Sequence, residues 1–108
     1  MVKKLEEIHP GEILMEEFLK PMGITNARLA GDIDVPTSRI SEIVNKHRPI
    51  TIDTAMRLGV YFNMEARFWV NLQAEYDVRM AEANLLPQIK GRIRPMESRP
   101  VSKDAVRK

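Results

Sequence analysis

No cysteine occurs in the 108 residues, so disulfides and thiolate metal sites are excluded and a reducing cytosol is the natural compartment. Long apolar runs are equally absent, and the opening Met-Val-Lys-Lys-Leu-Glu-Glu lacks the apolar stretch of a signal peptide. A cytoplasmic protein without membrane association is expected. The five glycines are dispersed, which leaves no Gly-rich phosphate loop. The two histidines, His9 and His47, belong to no HExxH motif, metal-ligand repeat or Gly-x-Ser-x-Gly elbow. Glu16 and Glu17, adjacent on a helix, point about 100° apart and read as a solvated face rather than a carboxylate pair. No enzyme, cofactor or metal is therefore expected.

What is present is a stretch from Thr25 to Asn45 with the spacing of a helix-turn-helix. Leu29 and Ile33 lie four apart, Asp34 breaks the pattern, and Ile40, Ile43 and Val44 resume it. Two short helices must meet across a tight turn, and small Ala30 sits where they would cross steeply. Thr25 suits the N-cap of the first, Pro36 the first turn of the second. Asp34 stands where such turns usually carry a left-handed glycine, at a cost near 1 kcal/mol. With Ile40, Ile43 and Val44 turned inward, the second helix presents Thr37, Ser38, Ser41, Glu42 and Asn45. Hydroxyls, amides and a carboxylate at these positions can read base edges in a major groove. Arg39, Lys46 and Arg48 flank them as phosphate contacts, and Asn26 and Arg28 open the first helix on the same side. The plainer reading is a solvated face on a helical hairpin.

A chain of this length supports one domain with a modest core. The formal charge of +2 hides an asymmetry: residues 1–86 carry ten Lys/Arg against thirteen Asp/Glu, residues 87–108 seven against two. The body is thus −3 and the tail +5. Ahead of the hairpin, His9-Pro10-Gly11-Glu12 opens a helix with Ile13, Leu14, Phe18 and Leu19 on one side; Pro21 and Gly23 end it, and Met22 and Ile24 carry apolar surface onward. After the hairpin comes a basic loop, residues 46–50. Thr51 and Asp53 then start a helix running to about Tyr61, with Ile52, Ala55, Met56 and Leu58 toward the core and Asn63 as terminator. A fifth helix spans about Glu65 to Leu85, with Phe68, Trp69, Leu72, Tyr76 and Met80 along a broad stripe. That stripe packs on helices one and four, or its outer part forms a symmetric dimer contact, or both. From Pro87 the periodicity stops. Lys90, Arg92, Arg94 and Arg99 belong to an extended or disordered arm that solvates the chain or contacts phosphates or an acidic partner.

The opening His9-Pro10-Gly11-Glu12-Ile13-Leu14, the helix-turn-helix, and Phe68-Trp69-Val70-Asn71-Leu72-Gln73 followed by Tyr76-Asp77 resemble the HigA family of antitoxins, over roughly residues 6–83. The helix-turn-helix alone is common to many repressors; its combination with the other two segments is specific. The resemblance implies an all-α, five-helix fold of the phage-repressor type, here over residues 1–86; Asp34 and the extended, basic C-terminal tail over 87–108 depart from the family's usual pattern. It also implies a HigB-like toxin partner, a RelE-like mRNA-cleaving protein, and repression of the operon encoding both. The DNA-reading role carries over to Thr37, Ser38, Ser41 and Glu42. The alternatives are a free-standing transcriptional repressor with no toxin partner and, third, a protein-interaction module that no longer binds DNA. The expected partners are a palindromic double-stranded operator, the toxin and a second copy of the chain, paired through Trp69, Leu72, Tyr76 and Met80.

Overall fold

In the computed structural model, which describes residues 8–96, six helices and no strands are present among the described residues. Helix α1 covers residues 10–22 and is not uniform: α-helical turns at Pro10–Ile13 and Lys20–Met22 enclose a π-helical segment, Leu14–Leu19. Lys20 N–H reaches five residues back to the Met15 carbonyl, and the widened turn lies just before Pro21, whose ring would crowd an ordinary α-turn. The helix therefore runs through Pro21 instead of ending there. It stops at Gly23, which takes a left-handed φ of 66°. Met22 is exposed; Ile24, half-buried, carries the apolar surface onward alone.

Helices α2 (Asn26–Asp32) and α3 (Thr37–Val44) form the expected hairpin. Thr25 caps α2, its hydroxyl accepting from Arg28 N–H at 3.0 Å. Pro36 serves as the N-cap residue of α3, one position earlier than its first turn. Helix α4 (Ile52–Phe62) is capped by Thr51, and α5 (Ala66–Asn84) follows after a left-handed Asn63. Four successive helices, α1 to α4, end in the same way. A left-handed residue (Gly23, Asp34, Lys46, Asn63) follows the helix, and the next N–H reaches back to the carbonyl five residues before it.

The core is a small apolar cluster, with Leu14, Leu29, Ile40, Ile43, Ala55, Leu58 and Trp69 fully buried. The Trp69 ring lies 4.9 Å from Phe18 and 5.0 Å from Phe68, joining α1 to α5. Two expectations change here. Trp69 has no exposed surface and belongs to its own subunit's core, so it cannot contribute to a contact with another copy. Ile52 and Met56 face solvent, because α4 is apolar on two sides and Ala55 and Leu58 take the inner one.

The stretch from Pro87 is not extended at its start. Helix α6 (Leu86–Arg92) follows α5 after a single residue, Leu85, and backbone extension begins at Ile93. Pro87 lies in the first turn of α6, where its missing N–H is not needed. Leu86 and Ile89 meet Val78 and Ala81 of α5 across a shallow apolar groove, which gives the short helix its footing. Of the tail's basic residues, Lys90, Arg92 and Arg94 are exposed, and Arg99 lies outside the described residues.

Candidate nucleic-acid interface

The turn between α2 and α3 shows how the site is held. Ala30 is buried at the crossing, its carbonyl accepting from Val35 N–H at 2.9 Å, and Asp34 takes φ of 62°, the left-handed conformation that such turns require. Arg57 of α4 braces it from outside. Its guanidinium donates to the Ile33 carbonyl at 2.8 Å and the Asp34 carbonyl at 3.2 Å, satisfying acceptors that would otherwise face only water. Ile40 and Ile43 are fully buried, which fixes the rotation of α3 about its axis.

That rotation leaves Thr37, Ser38 and Asn45 exposed, while Arg39, Ser41 and Glu42 are half-buried at the edges of the face. Arg28, Lys46 and Arg48 are exposed around it, and Asn26 is half-buried at the start of α2. Cations and carboxylates are interleaved. Arg39 pairs with Asp53 at 3.1 Å, Lys46 with Glu12 at 3.6 Å, Arg48 with Glu42 at 2.8 Å and Arg28 with Asp32 at 3.3 Å. Arg57 donates to the same Asp53 carboxylate at 3.0 Å, and this bond above all holds the Asp53 carboxyl below its usual range.

Two supports of the face come from residues that periodicity alone does not single out. Gln73 of α5 is buried, and its side-chain oxygen accepts from Ile50 N–H at 2.7 Å while its amide donates to Asp77 at 2.9 Å. It anchors the end of the basic loop that carries Lys46 and Arg48. Gly11 at the start of α1 lies against the last turn of α3, so close that a Cβ built there would fall 1.8 Å from the Ile43 carbonyl oxygen. The signal for Gly11 was its place beside Pro10 at a helix start, where an ordinary helix former would do as well.

His9 caps α1: its Nδ1 accepts from Gly11 N–H at 2.9 Å, and its ring meets Tyr76 edge-on at 4.8 Å. Burial, reinforced by Lys46 and opposed by Asp77 and Glu12, holds its pKa below 6.5. A proton on Nδ1 would remove the acceptor. Since the folded state binds a proton less readily than the unfolded chain, the contribution of this cap is intact above 6.5 and is lost as pH falls through the lower, folded value. His9→Asn keeps a side-chain acceptor without the titration. The wild-type protein is expected to lose more stability than this variant between about pH 7.5 and about pH 5.5, measured by chemical denaturation. Parallel losses would show that His9 does not set the difference.

Leu72, Tyr76 and Met80 are half-buried along α5. More apolar surface is open on α4, where Ile52, Met56 and Val60 succeed one another by turns with 58%, 56% and 85% of their area exposed.

A family model described as helix-turn-helix matches residues 15–69. The chain is 53% identical over 79 residues to virulence-associated protein I of Dichelobacter nodosus, covering 73% of each. Among solved structures, the Pseudomonas aeruginosa antitoxin HigA with the higBA promoter superposes with a TM-score of 0.80 at 44% identity, over 83% of this chain and 98% of that one. Antitoxin GraA in complex with its operator superposes with a TM-score of 0.80 at 35% identity, over 91% of this chain and 99% of that one.

Proposed function

The chain belongs to the helix-turn-helix family of the HigA antitoxins, and on that premise we propose that it is a homodimeric, sequence-specific DNA-binding antitoxin. In this reading it represses its own operon and neutralises, by direct binding, a HigB-like mRNA-cleaving toxin in the cytoplasm. The observation that carries the DNA half is the exposed polar edge of α3, with Thr37, Ser38 and Asn45 outermost on a helix whose inner face is fixed by Ile40 and Ile43. Hydroxyls and an amide so placed bond base edges, while Arg39, Lys46, Arg48, Arg28 and Asn26 reach the backbone on either side, and Ser41 and Glu42 complete the reading edge. The HigA structure with the higBA promoter and the GraA structure in complex with its operator support the same reading. The toxin half rests on the family, since no residue here is assigned to that contact.

The two groups of residues should fail differently. Ser38→Ala is expected to change which bases are preferred, shifting discrimination at one position by about 1–3 kcal/mol. Arg48→Ala should weaken operator and unrelated duplex by the same factor. Titration of both variants against a panel of singly substituted operator duplexes measures this, and an equal loss of discrimination in the two would overturn the division of roles. Co-purification with the product of the adjacent gene tests the toxin half. If that product neither binds nor is toxic, the free-standing repressor remains.

A homodimer requires an apolar surface that the core does not use. Among the described residues the ridge Ile52, Met56 and Val60 offers more of it than Leu72, Tyr76 and Met80, and it lies on the helix that directly follows the basic loop. We assign the two-fold contact to that ridge.

A further inference from the structure

Each of the three cations flanking α3 already has a carboxylate of its own chain. Asp53 on Arg39 comes from α4, Glu12 on Lys46 from α1, and Glu42 on Arg48 from α3 itself. The acids thus converge from three helices, with sequence separations of 14, 34 and 6 residues, whereas the periodic pairs of an ordinary helix surface lie four apart. Exposed pairs of this kind contribute little to folding. Their effect falls instead on whatever anion the cations would otherwise bind.

We propose that Asp53, Glu12 and Glu42 are built-in counterions of the DNA-binding face, which phosphates must displace, so that the sequence-independent share of duplex binding is held low. The proposal rests on the DNA-binding reading above. Its physical content is an ion balance. When a bare Arg or Lys takes a phosphate, a cation condensed on the duplex is released, and that release makes affinity fall with salt, by about 0.9 log unit per log unit for each phosphate neutralised. When the phosphate instead replaces a carboxylate, the carboxylate set free collects a cation from solution. Release and uptake nearly cancel for that contact. A protein so arranged binds arbitrary duplex weakly and with a shallow salt dependence, and leans on base contacts for its affinity.

The carboxylates are suited to the role. Asp53 is kept ionised by the Arg57 and Arg39 guanidinium groups. Arg57 retains its bonds to the Ile33 and Asp34 carbonyls, so removing the charge of Asp53 frees Arg39 without unbracing the turn. Glu42 has a second use, because in the operator complex its carboxylate can accept from a cytosine amine held opposite it, whereas over unrelated sequence no amine is fixed at that position. The net charge of −3 over residues 1–86 adds to the same restraint.

The test is the salt dependence of binding to a random-sequence duplex, followed by fluorescence anisotropy from about 50 to about 200 mM KCl, for the full-length wild type, Asp53→Asn and Glu12→Gln. Both substitutions keep size and hydrogen-bonding capacity, and thermal unfolding confirms that each variant is folded. Both are expected to steepen the log–log slope, by about 0.9 in Glu12→Gln and by less in Asp53→Asn because Arg57 stays on that carboxylate when Arg39 leaves it, and to raise affinity at the lowest salt about twofold to fivefold. Arg39→Ala should weaken binding with the slope unchanged, since it removes both sides of one exchange. A slope that stays the same or becomes shallower in Asp53→Asn and Glu12→Gln overturns the proposal alone. A wild-type protein that binds neither operator nor random duplex at low salt overturns the DNA-binding reading and this proposal with it.

Discussion

Gly11→Ala is expected to cost at least about 4 kcal/mol of folding stability, a loss reached only by substitutions with a definite steric cause. The cause here is a backbone-to-backbone approach. A Cβ at position 11 would meet the Ile43 carbonyl oxygen at 1.8 Å, its carbon at 2.6 Å and the Val44 Cα at 3.0 Å. None of these is the end of a flexible side chain that could turn away, and both partners are fixed: α1 by the His9 cap and buried Leu14, α3 by buried Ile40 and Ile43. Relief requires α1 to lift from the last turn of α3, opening the core between them. Domains of this size have about 5–15 kcal/mol in all, and each kcal/mol lost shifts the melting temperature by roughly 4–8 °C. A fall of 15 °C or more is therefore on the order expected by circular dichroism. Gly31→Ala is the internal control, because nothing lies within 4 Å of its added methyl and its helical position favours alanine, so a small gain of about 0.5–1 kcal/mol should follow. A melting temperature for Gly11→Ala within a few degrees of wild type would contradict the contact.

That contact also marks where sequence reasoning stops. The helix-turn-helix was legible because its information is local: Thr25 as cap, Ala30 at the crossing and Asp34 in the left-handed turn are each dictated by neighbours within a few residues, and each is found as expected. Lys46 was not legible. It closes α3 in the same left-handed geometry with φ of 68°, yet lysine has no preference for it, and only the bonds of Lys46 and His47 N–H groups to Ile43 and Glu42 carbonyls reveal the motif. Gln73 and Arg57 act on partners 23 and 24 residues away, at Ile50 and Ile33, and nothing in their own segments points there. The stripe on α5 showed the opposite problem. Periodicity identified Trp69 as apolar and inward, but it cannot say whether inward means the core or another subunit, and the aromatic contacts with Phe18 and Phe68 decide for the core. The same ambiguity hid the second face of α4. Ile52, Ala55, Met56 and Leu58 satisfy one helical pattern, and only packing separates the buried pair from the exposed pair. Pro87 misled through a rule applied too broadly, since a proline that stops one helix can start the next.

Val60→Glu is expected to separate the subunits and, through that, to abolish operator binding at concentrations where the wild-type protein saturates. Val60 is the most exposed large apolar residue among those described, at 85%, and Met56 and Ile52 extend its ridge along α4. Shallow depressions flank the ridge, one toward Asp32, Ile33 and Asp34 and one toward Asn63, Met64 and Ala66. A ridge beside a hollow is self-complementary under a two-fold axis, because each copy can seat its ridge in the other's hollow. The axis so placed lies beside the helix that follows α3 and its basic loop. A dimer about that axis is expected to present two α3 helices to successive major-groove turns about 34 Å apart, and its operator is then expected to be palindromic. A carboxylate at position 60 would be buried twice over in such a contact, without a partner, while in the free subunit it would stand in water at no cost to the fold. The variant should melt like the wild type, sediment as a monomer at micromolar concentration, and bind the two-site operator at least about 100-fold more weakly, a loss of some 2.7 kcal/mol. Its affinity for a duplex bearing one half-site should be unchanged. Met22→Glu, at another exposed apolar residue but on α1, should alter none of these quantities. A Val60→Glu protein that remains dimeric would move the contact elsewhere, and Met80→Glu would then show whether the half-buried edge of α5 carries it.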